Sequence, residues 1–303
     1  MNITNNHNLP QSFVNFARND KYSKGQSDIS VTTLIDSPRV RLLREAKSSE
    51  MTSDAADMIW PLFGTAVHHI LESASEDEGV VLEERLYATV NDWILSGAVD
   101  HQKIEGNCIN ITDYKVTSVW SVIHGKIEWE QQLNCYAFLS QKNKGMKVKS
   151  LQICAILRDW NRREAERRED YPQAPVILVD IPLWPDTKRI DYIKERVAMH
   201  QDAQINYDLA QTFPPCSDEE RWKRGEAWAV KKKGNKRAQR VFDNEVSAGE
   251  FMLALMERSM KVMSGVKDKE NLEIEHREGE YVRCKGDYCG VANFCSQFKG
   301  DTV

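Results

Sequence analysis

Three short runs carry residue types that together could hold a divalent cation against a phosphodiester. In PLFGTAVHHILESAS, His68 follows Gly64 by four residues and precedes Glu72 by four, so a helix sets the three on one face, with Gly64 allowing close backbone approach. SGAVDH puts Asp100 at the end of an apolar run, and ITDYKV puts Asp113 and Lys115 two apart, on one side of a strand. Two carboxylates and an imidazole supply hard oxygens and one nitrogen to such an ion, and the Tyr114 carbonyl is a further candidate ligand. An adjacent lysine orients water and offsets negative charge. Taken singly each has a plainer reading: His68, beside His69, as a packed histidine, Asp100 as a strand cap, and DYK as a chance run. Their succession at element positions that can converge carries the weight.

These residues need a helix and a sheet to hold them. Residues 1–29 are polar and without period, which predicts a loosely held arm. A helix is predicted from Leu34 to Ala46, with Pro38 in its first turn, and another over 61–75, where Phe63, Val67, Ile70 and Leu71 recur at helical spacing. VVLEERLYATV, WILSGAVDHQ and NCINITDYKVT read as three antiparallel strands joined through Asn-Asp and Glu-Gly-Asn. A helix from about Glu128 to Ser140, strands at LQICAILRD and PVILVDIPLW, and a helix over 186–210 follow. That order predicts an α/β fold with a mixed central sheet flanked by helices. Beyond it, 211–220 is a Pro-containing loop and AWAVKKKGNKRAQRVF a basic hairpin. A helix at about 247–265, a strand at LEIEHR and a cysteine-rich end complete the chain.

The succession GTAVHHILE, SGAVDH, TDYK and QLNCY resembles the PD-(D/E)XK nuclease superfamily, in its RecB-type branch of viral exonucleases and CRISPR adaptation nucleases. The family's Gly-x-x-x-His-x-x-x-Glu helix matches Gly64, His68 and Glu72. Its metal-binding aspartate matches Asp100, its Asp/Glu-x-Lys matches Asp113 and Lys115, and its Gln-x-x-x-Tyr helix matches Gln132 and Tyr136. The match is close over 61–136. The resemblance implies a restriction-endonuclease-like core over 30–210, with His68, Asp100, Asp113 and Tyr114 around one or two Mg²⁺ or Mn²⁺ ions. Lys115 would orient water, and Gln132 and Tyr136 would contact DNA or support the metal site, a helix-to-sheet packing pair being the alternative. The activity implied is exonucleolytic, on linear DNA with free ends, in viral recombination or end processing. A recombination or single-strand annealing partner and a homo-oligomer are further expectations from the resemblance.

Seven cysteines is an odd number, and Cys284, Cys289 and Cys295 crowd RCKGDYCGVANFC, which favours thiolate ligands over disulfides. The family often holds an iron–sulfur cluster through three such C-terminal cysteines and one preceding a Pro-Arg. Here that position is Ser37, in DSPR, and Cys216 is the natural substitute. Spacing alone leaves a [4Fe–4S] cluster, tetrahedral zinc and no metal all open. Cys108, Cys135 and Cys154 read as small apolar residues. Residues 211–303 are thus expected to form a basic hairpin and a metal-binding segment packed on the core.

The 303 residues carry 41 Lys and Arg against 46 Asp and Glu, a net −5, which excludes a uniformly basic nucleic-acid coat. Basic charge is concentrated instead: 221–240 contains nine Lys or Arg and one Glu, interleaved with Trp222 and Trp228. Such a segment suits backbone contacts with stacking on unpaired bases, or is a solvated hairpin. A hydrophobic share of 41% excludes a disordered chain, and the lack of a long apolar run or an apolar leader predicts a cytoplasmic protein without membrane spans. Competing readings are a DNA-binding or assembly protein on a nuclease scaffold, and a structural or redox metalloprotein centred on the cysteines.

Overall fold

Strand periodicity is plain in LQICAIL, where Leu151, Ile153, Ala155 and Leu157 are buried and the residues between them are not. The computed structural model describes residues 2–19, 25–74, 78–262, 271–286 and 288–300. Two compact units divide the chain, Met1–Pro214 and Pro215–Val303.

The first unit begins with β1 (Asn2–Thr4), α1 (Gln11–Arg18), β2 (Ile29–Ser30), α2 (Val31–Leu34), α3 (Pro38–Ala46), β3 (Thr52–Asp54) and α4 (Ile59–Ala74). Three long strands follow, β4 (Val80–Val90), β5 (Trp93–Glu105) and β6 (Cys108–Thr117). The unit ends with α5 (Val119–His124), α6 (Ile127–Lys144), β7 (Lys147–Leu157), α7 (Arg162–Arg167), β8 (Val176–Ile181) and α8 (Asp186–Ala210).

The fold is the expected α/β arrangement, a mixed sheet in the order β2-β5-β6-β7-β8 with β4 on the other edge of β5. β4, β5 and β6 are antiparallel, while β6 and β7 are parallel and joined through α5 and α6. Asn91 and Asp92, at φ 46° and 64°, make the two-residue turn between the paired Val90 and Trp93. Their positive φ values give the twist that an antiparallel hairpin needs. Leu133, Ala137 and Leu139 of α6 join Val99, Ile111 and Ile153 of the sheet in one core. Ser140 bonds Gln102, which bonds Glu84, which pairs with Lys144, so a polar chain locks α6 to β4 and β5 beside Asp100.

The N-terminal segment departs from the expected loose arm. β1 pairs in parallel with β3, and Val14 and Ala17 of α1 are buried with Ala55. Its few apolar residues form a cluster only with a segment some forty residues away, which local periodicity does not reveal.

The second unit holds β9 (Lys223–Arg224), β10 (Ala227–Lys232), β11 (Arg240–Phe242), α9 (Glu245–Val262), β12 (Leu272–Arg277), β13 (Glu280–Tyr281), α10 (Val282–Lys285) and α11 (Ser296–Gly300). The hairpin β10–β11 is present, and β12 adds a third strand on the far edge of β10. The end of the helix expected at 247–265 lies outside the described residues. Among the described residues no helix is long and apolar enough to cross a membrane.

Candidate active site

The β5–β6 ladder runs from Glu105↔Cys108 to His101↔Thr112 and stops; the next rung would pair Asp100 with Asp113. On the opposite edge the β4–β5 ladder passes from Leu82↔His101 to Glu84↔Val99 and omits the rung between them, which would pair Glu83 with Asp100. Three carboxylates, Glu83, Asp100 and Asp113, therefore share one interrupted rung across three strands. Glu83 has φ 46°, a strained value for a non-glycine residue in a strand. In place of the lost backbone pair, Asp100 Oδ2 accepts the Tyr114 N–H at 2.8 Å. In an extended residue N–H and C=O lie on the same strand edge, so the Tyr114 carbonyl is on this edge too.

Helix α4 brings His68 to the rung. Its Nδ1 lies 2.9 Å from Glu83 Oε1 and 3.6 Å from Asp100 Oδ1. One ligand atom from each of His68, Glu83 and Asp100 falls within 4.8 Å of the other two, the spacing of a shared cation. Asp113, 0% exposed, has Oδ2 ion-paired to Lys115 Nζ at 2.6 Å, and its Oδ1 has no hydrogen-bond donor among the described residues. A buried carboxylate oxygen without a donor, beside one imidazole and two more carboxylates, fits a hard divalent ion such as Mg²⁺ or Mn²⁺.

The electrostatics agree with that fit. Burial, and then the Asp113 charge, push the Asp100 carboxyl up to about 7, against Lys115, His68 and the Tyr114 N–H. The hydrogen bond to Glu83 raises His68 above its ordinary value despite burial, with the Asp100 and Glu83 charges adding to it. Burial opposes the Lys115 charge, but Asp113 and Asp100 outweigh it and hold the ammonium above the usual lysine range. Lys115 is a firm cation, and excess negative charge waits on the carboxylate side.

His68, Asp100, Asp113, Tyr114 and Lys115 are thus brought together. Gln132 and Tyr136 are buried in α6, Gln132 Nε2 donating to Tyr136 Oη at 2.8 Å. The Tyr136 ring packs on Gly97, where an added Cβ would lie 2.7 Å from Cε1. In this structure they are a helix-to-sheet pair three residues along β5 from Asp100. Glu72 is exposed, and nothing lies within 4 Å of where a Cβ on Gly64 would sit, so the close backbone approach expected there is absent among the described residues. Glu83 carries no local sequence signal of this role, although its position opposite Asp100 follows from the turn at Asn91–Asp92.

The four cysteines belong to the second unit. Cys216, Cys284 and Cys289 are half-buried, Cys295 is buried, and none forms a disulfide. The Gln297 amide donates to the Cys216 carbonyl at 3.1 Å and accepts its N–H at 2.9 Å, fastening the Cys216 loop to the chain just beyond Cys295. Ser37, which stands at the family's distant cysteine position, is in the first unit and 0% exposed. Cys135 is a core residue whose thiol burial pushes up to about 12.

The basic segment is partly neutralised. Lys223 pairs with Asp218 and Arg224 with Glu280, Lys231 pairs with Glu273 and Glu275, and the Arg221 guanidinium lies 3.3 Å from the Tyr281 ring centroid. Those acids arrive on β12 and β13 or in the preceding loop, which a count over 221–240 does not see. Lys233, Lys236, Arg237 and Arg240 remain exposed around the hairpin.

No family model and no curated protein matches the chain. Among solved structures, the protein named SSO0001 is similar with a TM-score of 0.42 and 15% identity, over 65% of this chain and 87% of its own. A structure from Eubacterium rectale, named as a candidate exonuclease, is similar with a TM-score of 0.27 and 12% identity, over 70% of this chain and 65% of its own.

Proposed function

We propose that the chain is a divalent-metal-dependent deoxyribonuclease. The observation that carries the reading is the interrupted rung of Glu83, Asp100 and Asp113 with His68 above it and Lys115 one step beyond. His68, Glu83, Asp100 and Asp113 are the residues that would hold the ion, with the Tyr114 carbonyl in reach of the same edge. A bound Mg²⁺ or Mn²⁺ supplies charge that offsets the phosphorane and lowers the pKa of water. Lys115, fixed by Asp113, orients the attacking water and faces the negative charge that builds on the phosphoryl oxygens. Asp113, fully buried, holds Lys115 in that direction.

The finer reading is exonucleolytic processing of linear DNA ends, in recombination, with an annealing partner and self-association as further parts of the proposal. A scaffold that only binds DNA has no use for a buried carboxylate oxygen without a donor. Cys216, Cys284, Cys289 and Cys295 are proposed to hold one [4Fe–4S] cluster. Tetrahedral zinc on the same four thiolates is the alternative.

The test incubates protein with end-labelled linear DNA and with closed circles, in Mg²⁺, Mn²⁺ or EDTA. Metal-dependent release of short products from linear DNA, with circles spared, is expected. Equal attack on circles would reject the exonuclease reading, and cleavage in EDTA would reject the metal.

A further inference from the structure

Helix α4 buries none of its residues, and two of its aromatic side chains stand out, Trp60 at 50% and Phe63 at 48% exposure. The two rings stack at 6.1 Å and 30°, and the Arg158 guanidinium lies 4.2 Å from the Trp60 ring centroid. Arg158 is exposed and has no carboxylate within ion-pair distance among the described residues. An exposed ring pair with a guanidinium held against it by a cation–π contact offers stacking faces beside a phosphate donor, which suits a ligand that is both planar and anionic.

The position of this group ties it to the candidate active site. Arg158 directly follows β7, and its N–H donates to the Thr117 carbonyl at the end of β6. Asp113 lies four residues back along β6, about 13 Å at the rise of a strand. On α4, His68 lies eight residues from Trp60, about 12 Å at the rise of a helix. The His68 end of α4 meets Tyr114, with ring centroids 6.1 Å apart, and the Trp60 end meets Arg158. The two lengths agree, so α4 runs antiparallel along β6 and spans from the carboxylate rung to the ring pair. At ~3.4 Å per nucleotide of a stacked strand, that distance is roughly three to four nucleotides, fewer if the strand is stretched.

We propose that Trp60, Phe63 and Arg158 form a stacking ledge for unpaired bases of single-stranded DNA whose scissile phosphate lies at the rung, Arg158 holding a phosphate. This rests on the nuclease reading and adds strand selection to it. Duplex bases are already stacked and cannot use the rings, whereas each base–aromatic stack in a single strand is worth about 1–3 kcal/mol. The tryptophans of 221–240 belong to the second unit, where Trp228 is half-buried against His276 and Trp222 lies against Tyr288.

The test measures binding of a labelled single-stranded oligonucleotide and of its duplex in EDTA, beside metal-dependent hydrolysis of bis(p-nitrophenyl) phosphate, which has no bases. Trp60→Leu keeps apolar bulk without a ring, and Trp60→Phe keeps a ring. Trp60→Leu is expected to weaken single-strand binding by roughly 5- to 150-fold, the equivalent of one stack. Duplex binding and hydrolysis of the small diester should stay unchanged, and Trp60→Phe should recover most of the loss. Single-strand affinity unchanged in Trp60→Leu, or equal losses for duplex and single strand, would overturn the proposal. So would a dimer that Trp60→Leu converts to monomer in sedimentation, since the rings would then cover a second copy. If wild-type protein binds single strands through Trp60 yet hydrolyses neither DNA nor the small diester, the nuclease reading fails while the ledge stands.

Discussion

Glu83 and Asp100 occupy opposite positions on adjacent strands but do not pair, because Glu83 turns to φ 46° and the ladder skips their rung. The backbone gives up a regular pair, and two carboxylates and an imidazole gather in the space. Strain of this kind persists where the surrounding pairs over-determine it, here Leu82↔His101 below and Glu84↔Val99 above.

Glu83→Gly should separate strain from ligation. Glycine accepts a positive φ without a steric penalty, which offsets its entropic cost and the lost bond to His68, so metal-free stability in thermal or urea unfolding is expected to hold or to rise by up to about 1 kcal/mol. Cation affinity, read by Mn²⁺ titration, should fall by about tenfold or more because one anionic ligand is lost. A stability loss in EDTA would show that Glu83 is held by its side chain, and unchanged affinity would remove it from the site.

The Asp100 carboxyl, raised from 3.8 to about 7, makes metal-free stability depend on pH. Its contribution is full below the unfolded value near 4. It is lost as pH rises toward about 7, because the unfolded chain gives up the proton first and the folded protein must then bear a buried charge. In EDTA, the difference in melting temperature between wild type and Asp100→Asn is expected to grow in favour of the variant from pH 4 to pH 7. Saturating Mg²⁺ should remove that advantage by favouring the ionised wild-type carboxylate. A pH-independent difference would contradict the burial of this charge.

Gly97→Ala tests how α6 supports the site. The new Cβ would meet Tyr136 Cε1 at 2.7 Å and Leu139 Cδ1 at 3.0 Å, both in a packed core. A loss of about 1–3 kcal/mol in unfolding free energy is expected. Tyr136→Phe removes the hydroxyl that accepts the bond from Gln132 and should cost about 1 kcal/mol with little change in cleavage. Loss of cleavage in Tyr136→Phe without loss of stability would give the hydroxyl a role on substrate.

For the cysteines, anaerobically purified protein should show visible iron–sulfur absorbance and iron on metal analysis, and Cys289→Ser should lose both along with stability of the C-terminal unit. Zinc with no visible absorbance would replace the cluster, and unchanged metal content in Cys289→Ser would remove that ligand.

His68, Asp113 and Lys115 were legible because their relations are local: one helix face, and two residues apart on a strand. Asp100 stood out as a charge ending an apolar run. Glu83 escaped because VVLEERLY carries two adjacent glutamates and nothing local marks one of them. The information was nevertheless present, since Asp100 is seven residues after Trp93 and Glu83 seven before Val90, across the Asn91–Asp92 turn. Gly64 marks no close backbone approach, because small size does so only where a neighbour arrives and none does among the described residues. The charge of 221–240 was overestimated for a related reason: Glu273, Glu275 and Glu280, which neutralise Lys231 and Arg224, come from some fifty residues downstream.

The most direct test of the carboxylate rung as a hydrolytic centre is the rate of Mg²⁺-dependent phosphodiester cleavage in Asp113→Asn. Asparagine preserves the volume of the buried side chain but removes the charge that holds Lys115 and faces the cation. A fall of about 10³-fold or more is expected, with the fold intact by circular dichroism. Cleavage at the wild-type rate would contradict it.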